Sequence, residues 1–336
     1  MTTTDDHGGG NGSARPYVDI HAHFTPPSTE EERVRSWQAM LGKGIYFREP
    51  PEWSLERTLA YMDASGTAMQ MLSNVPASLP ALRATNDYGA ILVADHPSRF
   101  GLLAALPTDD PSAAVEEARR AREVLDADGF AVTTAYNGVH LGDESLSPLW
   151  ELLDDWAAVV FVHPDARRPA VLDHPAPLYE VAFDTARTVF DMIFRKTFAR
   201  YPNITFVVAH CGGAFPALTG RLRLLGNESW VPQGITPEDI DAQASSLYVD
   251  TAATAFTQSL LPAKTTVGAG HIVYGSDWGA PCTTEATAEE NRASLLRCGA
   301  LSPAEAGDVR GRALDLFPRA ARRIADAAVP AGEITL

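Results

Sequence analysis

Eight short apolar segments recur along the chain, and a stretch of helical periodicity follows each one. The segments cover residues 17–21, 68–73, 100–105, 129–133, 159–162, 204–209, 247–250 and 272–275. The helical stretches cover 54–65, 81–96, 111–127, 148–158, 183–201, 215–225, 257–267 and 302–327. The apolar segments lack the in–out alternation of a half-exposed strand. They read as strands buried on both faces, the pattern of a parallel sheet covered by helices. Eight such strands alternating with eight helices are the pattern of a (β/α)8 TIM barrel. The alternative is an open doubly wound sheet. No GxGxxG run follows the first strand, which weighs against it. At 336 residues the chain suits one barrel domain.

The organisation follows from this reading. Residues 1–15 are small, polar and acidic, and are expected to be a flexible tail. They lack the charged-then-apolar layout of a secretory signal, so a cytoplasmic protein is expected. The barrel is assigned to 16–328, with a short tail at 329–336. Two connections exceed what a barrel needs. One is a long loop insertion at 24–53, after strand 1; the other is a Pro-rich segment at 164–182, after the fifth strand. Long loops at this face of a barrel usually build or cover the site.

In a barrel, functional side chains come from the C-terminal ends of the strands. The first strand, in "YVDIHAHF", ends in His21 with His23 just beyond. Residues i and i+2 of a strand share a face, so both imidazoles can aim at one point. "VVFVHP" ends in His163, "TFVVAHCGG" in His210 and "IVYGSDW" in Asp277. Four histidines and a carboxylate on one rim point to a metal centre, and this donor set suits Zn2+ or Mn2+. The most economical ligand set is His21, His23, His163 and Asp277. His210 is left as a general acid/base or substrate contact, or as a group that supports the ligands from behind. A lysine bridging two metals would have to leave a strand end. Lys43, Lys196 and Lys264 do not, so one divalent ion is expected.

The formal net charge of −16 disfavours nucleic acid and anionic membrane as partners. A small anionic substrate would need a local cation. Arg48, in "YFREPPEW", has the fork to clamp a carboxylate. Asn74, Tyr136 with Thr134, and Trp278 follow strand ends and are expected to line the pocket. Asp250 ends the seventh strand, to orient a ligand or to cap. His96, His140, His174 and His271 are expected to be structural or at the surface. The three cysteines, Cys211, Cys282 and Cys298, form no disulfide framework or CxxC site, which fits a reducing compartment. No apolar run approaches bilayer thickness.

The ordered set "DIHAHFTPP", "YMDASGTAMQMLS", "FVHP", "VVAHCGGAFPALTGRL" and "YGSDWGAP" resembles the amidohydrolase superfamily. "TAYNGVHLGDESLSPLWELLD" and "FDTARTVFDMIF" are similar to the branch of aminocarboxymuconate-semialdehyde and 6-methylsalicylate decarboxylases. The similarity runs from Tyr17 to about Ala321. The resemblance implies a metal-dependent nonoxidative decarboxylase that releases CO2 from a small aromatic or unsaturated carboxylic acid, in secondary metabolism. It also implies a homodimer. The family's metal ligands fall on His21, His23, His163 and Asp277, and its catalytic histidine on His210. Its carboxylate-binding arginine falls on Arg48, in a loop of different length. Asp277 is a further candidate to move the proton. Two departures stand out: Arg312 where the family usually carries asparagine, and "DWGAP", whose Gly279 is expected to widen the rim. Two rivals share these residues. One is a hydrolase attacking a lactone or amide with metal-bound water, and the other is a non-catalytic metal-binding scaffold.

Overall fold

The structure is a computed structural model that describes residues 15–42, 47–167, 171–172 and 174–328. The expected tails at 1–15 and 329–336 lie outside those residues, except for Arg15, and so does Lys43. The strands are β1 (Tyr17–His23), β2 (Thr67–Ser73), β3 (Phe100–Ala105), β4 (Gly129–Thr133), β5 (Ala135–Tyr136), β6 (Val139–His140), β7 (Val159–His163), β8 (Thr205–Val208), β9 (Tyr248–Asp250) and β10 (Ile272–Val273). Eight of them form one sheet in the order β1-β2-β3-β4-β7-β8-β9-β10, and every pairing is parallel. The last strand returns to the first. Ile20 N donates to Tyr274 O at 3.0 Å, Asp277 N to His21 O at 2.9 Å and His23 N to Trp278 O at 2.7 Å. These bonds close the sheet into the expected barrel.

Two apolar layers explain why every strand is hydrophobic. One fills the lumen: Val18, Ile20, Met69, Met71, Leu103, Ala131, Phe161, Val207 and Val273, joined by Phe317 from the C-terminal segment. The other lies between the strands and the helices. It holds Ala22, Leu72, Leu102, Val132, Val160, Val162 and Phe206. Successive strand residues feed opposite layers, as the two-residue period requires. The β1–β2 register shifts between Asp19 and Ala22, an irregularity that re-aims the chain just where the histidines begin.

β5 and β6 form a small antiparallel hairpin on the mouth of the barrel, turned by Asn137 (φ 48°) and Gly138 (φ 93°). Two consecutive positive-φ residues match the twist of a two-residue hairpin, and Asn-Gly supplies them at low cost. Among the described residues, three α-helices lie outside the expected ones: Glu30–Leu41, Pro237–Ser245 and Glu285–Arg297. The first lies inside the long loop after β1. It buries no side chain and is started by a capping box between Thr29 and Glu32. The continuous helix expected over 302–327 is instead three, Pro303–Gly311, Ala313–Leu316 and Pro318–Ala328. Phe317 precedes a proline and is pushed out of the helical region (φ −122°, ψ 72°), which breaks the run. Among the described residues, no helix is long and apolar enough to cross a membrane.

Candidate metal centre

Each of the four rim histidines is turned by its Nδ1. His21 Nδ1 lies 2.8 Å from Asp250 Oδ2, His23 Nδ1 3.2 Å from Ser73 O, His163 Nδ1 2.8 Å from Pro164 O and His210 Nδ1 2.9 Å from Ala252 O. A carbonyl oxygen can only accept, and so can an ionised carboxylate, so the proton belongs on Nδ1 in every case. In the neutral ring, the form that binds a metal, each Nε2 then carries the lone pair. This is how second-sphere acceptors prepare imidazoles for a metal.

The lone pairs converge. His21, His163, His210 and Asp277 each bring one ligand atom to within 4.8 Å of the others. His21 Nε2 and His23 Nε2 are 3.1 Å apart, and each is 3.2 Å from Asp277 Oδ1. The structure therefore gathers all five residues expected on the rim, and it places His210 as near the focus as the expected ligands. Imidazole nitrogens and a carboxylate oxygen focused on one point are a donor set that fits a divalent cation.

The electrostatics reflect that crowding. Burial works against charge on His21, but the carboxylates of Asp250 and Asp277 outweigh it and raise its pKa to about 10. His163 is pushed well below the usual imidazole value, by burial first and then by His23 and His21. His210 is lowered by burial and by His21. Asp277 is buried, which favours its neutral form, yet hydrogen bonds from His21 and His23 hold it well below the usual carboxylate range.

The backbone is bent to present these groups. His210 (φ 55°), Cys211 (φ 53°) and Asp277 (φ 61°) all occupy the left-handed region. That conformation costs roughly 1–2 kcal/mol for an L-residue, and persists only where surrounding bonds hold it. For His210 the hold is Asp250, whose Oδ1 accepts from His210 N (3.0 Å) and Ala252 N (2.8 Å) while its Oδ2 faces His21. Of the two roles expected for Asp250, the structure favours orienting a ligand. For Asp277 the hold includes Thr283, which donates to Oδ2 at 3.0 Å and leaves Oδ1 facing the histidines.

Asp19 and Thr283 were not among the expected residues. Asp19 accepts from His21 N, Gln70 Nε2, Ser276 N and Ser276 Oγ, and so ties β1 to β2 and to the segment before Asp277. Burial pushes its carboxyl up to about 6 against those donors. A carboxylate one turn of the strand pattern before the first histidine was the available signal.

The expected substrate residues fare differently. Asn74 is half-buried, next to the Ser73 carbonyl that holds His23. Tyr136 is buried at the mouth, but its hydroxyl donates to Pro76 O (2.8 Å), so it presents a ring face. Trp278 stacks on Tyr61 with centroids 3.8 Å apart and donates to Thr58 Oγ1. Its ring therefore packs on the covering helix Leu55–Ser65, because the left-handed bend at Asp277 turns the next side chain outward. Arg48 is exposed, and no described contact links it to the histidines. Gly279 does not widen the rim. A Cβ there would lie 2.0 Å from His23 O, so the glycine allows its loop to cross β1 closely. Arg312 donates to Ala269 O and Ile272 O at the opposite end, away from the cluster as expected. His96, His140, His174 and His271 stay outside the group of converging ligand atoms.

Comparison with known proteins places this geometry. The family model described as amidohydrolase matches residues 18–318. Decarboxylase yanB of Aspergillus niger is 35% identical over 294 residues, covering 80% of this chain and 78% of its own. The 6-methylsalicylic acid decarboxylase of Penicillium expansum is 26% identical, covering 78% and 84%. A solved 2,6-dihydroxybenzoate decarboxylase in complex with 2,6-dihydroxybenzoate shares the fold. Its TM-score is 0.74 at 22% identity, over 90% of this chain and 99% of that one.

Proposed function

The chain belongs to the amidohydrolase family, and within it we propose a metal-dependent nonoxidative carboxy-lyase that releases CO2 from a small aromatic, hydroxybenzoate-type acid. One observation carries this reading: four imidazoles and a carboxylate converge at the strand ends of a chain 35% identical to a decarboxylase. His21, His23, His163 and Asp277 would hold one divalent ion, Zn2+ or Mn2+. Of the two lysines described, Lys196 pairs with Asp239 and Lys264 with Glu305, so neither is offered as a bridge between two metals.

When bound, the ion supplies fixed positive charge that anchors and neutralises the substrate's anionic oxygens. The chain's own residues handle the proton. Direct loss of CO2 would leave a carbanion in the ring. Protonating the carbon that bears the carboxylate avoids this. His210 is the proposed proton carrier: with its Nδ1 fixed on Ala252 O, it takes a proton on Nε2 to become imidazolium, gives that proton to the ring carbon and returns to the neutral ring. Asp277, held by Thr283, is placed to share that role. A C–H bond forms, the C–C bond then breaks, and its electron pair restores the ring while CO2 leaves.

The test is turnover of a panel of hydroxybenzoates, lactones and amides by metal-reconstituted protein, following CO2 and product mass together. A product lighter by one CO2 is expected. His210→Asn should cut turnover about 100- to 10,000-fold while metal content stays normal. A product heavier by water, with no CO2, would make the protein a hydrolase. Light scattering and metal analysis of the purified protein would test the homodimer and the choice between Zn2+ and Mn2+.

A further inference from the structure

The helix Glu285–Arg297 contributes no residue to the rim, yet one of its side chains supports the site from behind. Asn291 is 3% exposed, and its amide closes the loop that follows β9. Its Oδ1 accepts from Ala255 N (2.9 Å), while its Nδ2 donates to Thr251 O (3.0 Å) and lies 3.5 Å from Gly275 O. Both ends of the loop 251–255 thus meet on one side-chain amide. β9 stops at Asp250, so the strand ladder does not hold this loop. Ala255 is fully buried, and Asn291 supplies the acceptor its N–H needs. Inside the loop Ala253 is left-handed (φ 53°), a conformation that persists only where its surroundings hold it. Thr254 N donates to Thr251 O (3.1 Å), and Thr254 Oγ1 donates to Ala252 O (3.1 Å). What the loop presents to the site is the Ala252 carbonyl, 2.9 Å from His210 Nδ1.

We propose that Asn291 is the positioning residue for His210. It clamps both ends of the loop 251–255, the clamped loop fixes the Ala252 carbonyl, and that carbonyl fixes which ring nitrogen of His210 exchanges a proton. This rests on the carboxy-lyase reading, in which His210 carries the proton, and deepens it by naming what sets that group. A carbonyl can only accept, so while Ala252 O stays in place the Nδ1 proton is kept and Nε2 alone gains and loses one. If the loop relaxes, the two neutral tautomers come closer in energy. A ring with its proton on Nε2 would have to gain its second proton at Nδ1, which faces the loop and not the focus. An amide suits the clamp because it donates and accepts at once, as a peptide group does; an aliphatic side chain of similar size does neither. The expected metal ligands lean elsewhere: His21 on Asp250, His23 on Ser73 O, His163 on Pro164 O and Asp277 on Thr283. The clamp therefore acts on the proton carrier and spares the metal.

The experiment is proton–nitrogen correlation NMR of the histidine rings in the Zn2+-reconstituted full chain, in mildly alkaline buffer, for wild type, Asn291→Leu, Asn291→Ala and Leu295→Ala. CO2 release, kcat, KM and metal affinity are measured alongside. The His210 signals are assigned by their loss in His210→Asn. Wild type should show His210 protonated on Nδ1. In Asn291→Leu the tautomer protonated on Nε2 should appear, and kcat should fall about 10- to 100-fold with KM unchanged. Metal affinity should change by no more than about threefold, since no expected ligand leans on the loop. Leu295, fully buried on the same helix, gives the control for a merely structural role. Leu295→Ala should lower the unfolding temperature without moving the tautomer. An unchanged His210 tautomer in folded Asn291→Leu, or the same tautomer change in Leu295→Ala, would overturn the proposal. So would a loss of metal affinity as large as the loss of turnover. If the Leu variant does not fold, Asn291→Ala, which leaves room for water at the freed N–H and carbonyl, decides by the same criteria. A tautomer change in a protein whose wild type releases no CO2 would keep the clamp and discard the carboxy-lyase reading. CO2 release with an unchanged tautomer would do the reverse.

Discussion

Where the barrel strands begin, the lumen is stoppered by hydrocarbon. Where they end, it is lined by imidazoles. Phe317 enters the lumen cluster with Ala313 and Ala320, and a Cβ on Gly129, the first residue of β4, would lie 3.2 Å from its ring. Arg323 fastens the same segment to Asp128, Pro97 O and Phe100 O, and Arg319 reaches Asp126 O. Both of these arginines meet an opposite charge or a carbonyl. At the other end, imidazoles and a carboxylate crowd one point and two of the key residues sit in left-handed backbone. The contrast teaches that one set of strands serves two purposes. The starts hold the barrel together, and the ends store the strain and electrostatic conflict that a bound ion and substrate would relieve.

Substitutions at the two ends should therefore separate turnover from stability. The largest effect on turnover is expected for Asp277→Ala, on the order of a thousandfold or more, with metal content reduced. Thermal unfolding of the metal-free protein should change little; a collapse of the metal-free fold would break the contrast. Asp250→Asn comes next. Its amide oxygen can still take His210 N and Ala252 N, but its NH2 then faces His21 Nδ1. That would force the proton onto Nε2 and remove one lone pair from the cluster. Metal affinity should fall roughly 10- to 100-fold, read by competition with a chelator. Thr283→Val should cost about threefold to tenfold in turnover by freeing Asp277 Oδ2, a loss of about one hydrogen bond, and Thr283→Ser should restore it. Phe317→Ala should leave turnover per folded molecule unchanged while lowering the free energy of unfolding by about 3–5 kcal/mol. If turnover fell in proportion, the two ends would not be separable.

The strands were legible because burial on both faces leaves little choice of residue. Phe100–Ala105 and Gly129–Thr133 match their expected bounds, and the others differ only at their ends. The overlooked helix Glu30–Leu41 was illegible by periodicity, since it buries nothing; Thr29 and Glu32 were the signal that could have found it. In the site, residues at regular strand ends were placed by period alone. Those beyond an irregular turn were not. Trp278 follows the left-handed Asp277, so its direction is set by a bend that no two-residue pattern contains.

The bonds that join β1 to the segment after β10 also impose an order of events in time. His21 leaves the ribosome early, and Asp277 follows only after most of the chain has been made. At about 5–20 residues per second, that interval is on the order of tens of seconds. Through it, β1 has one neighbour and an open edge, and the first two histidines have no carboxylate from the closing segment. A chain cut short before Asp277 inherits every strand and all four rim imidazoles but lacks the carboxylate that completes the cluster. Closure of the ring and completion of the chemistry are a single late step, so unfinished copies gain no premature grip on metal at full strength.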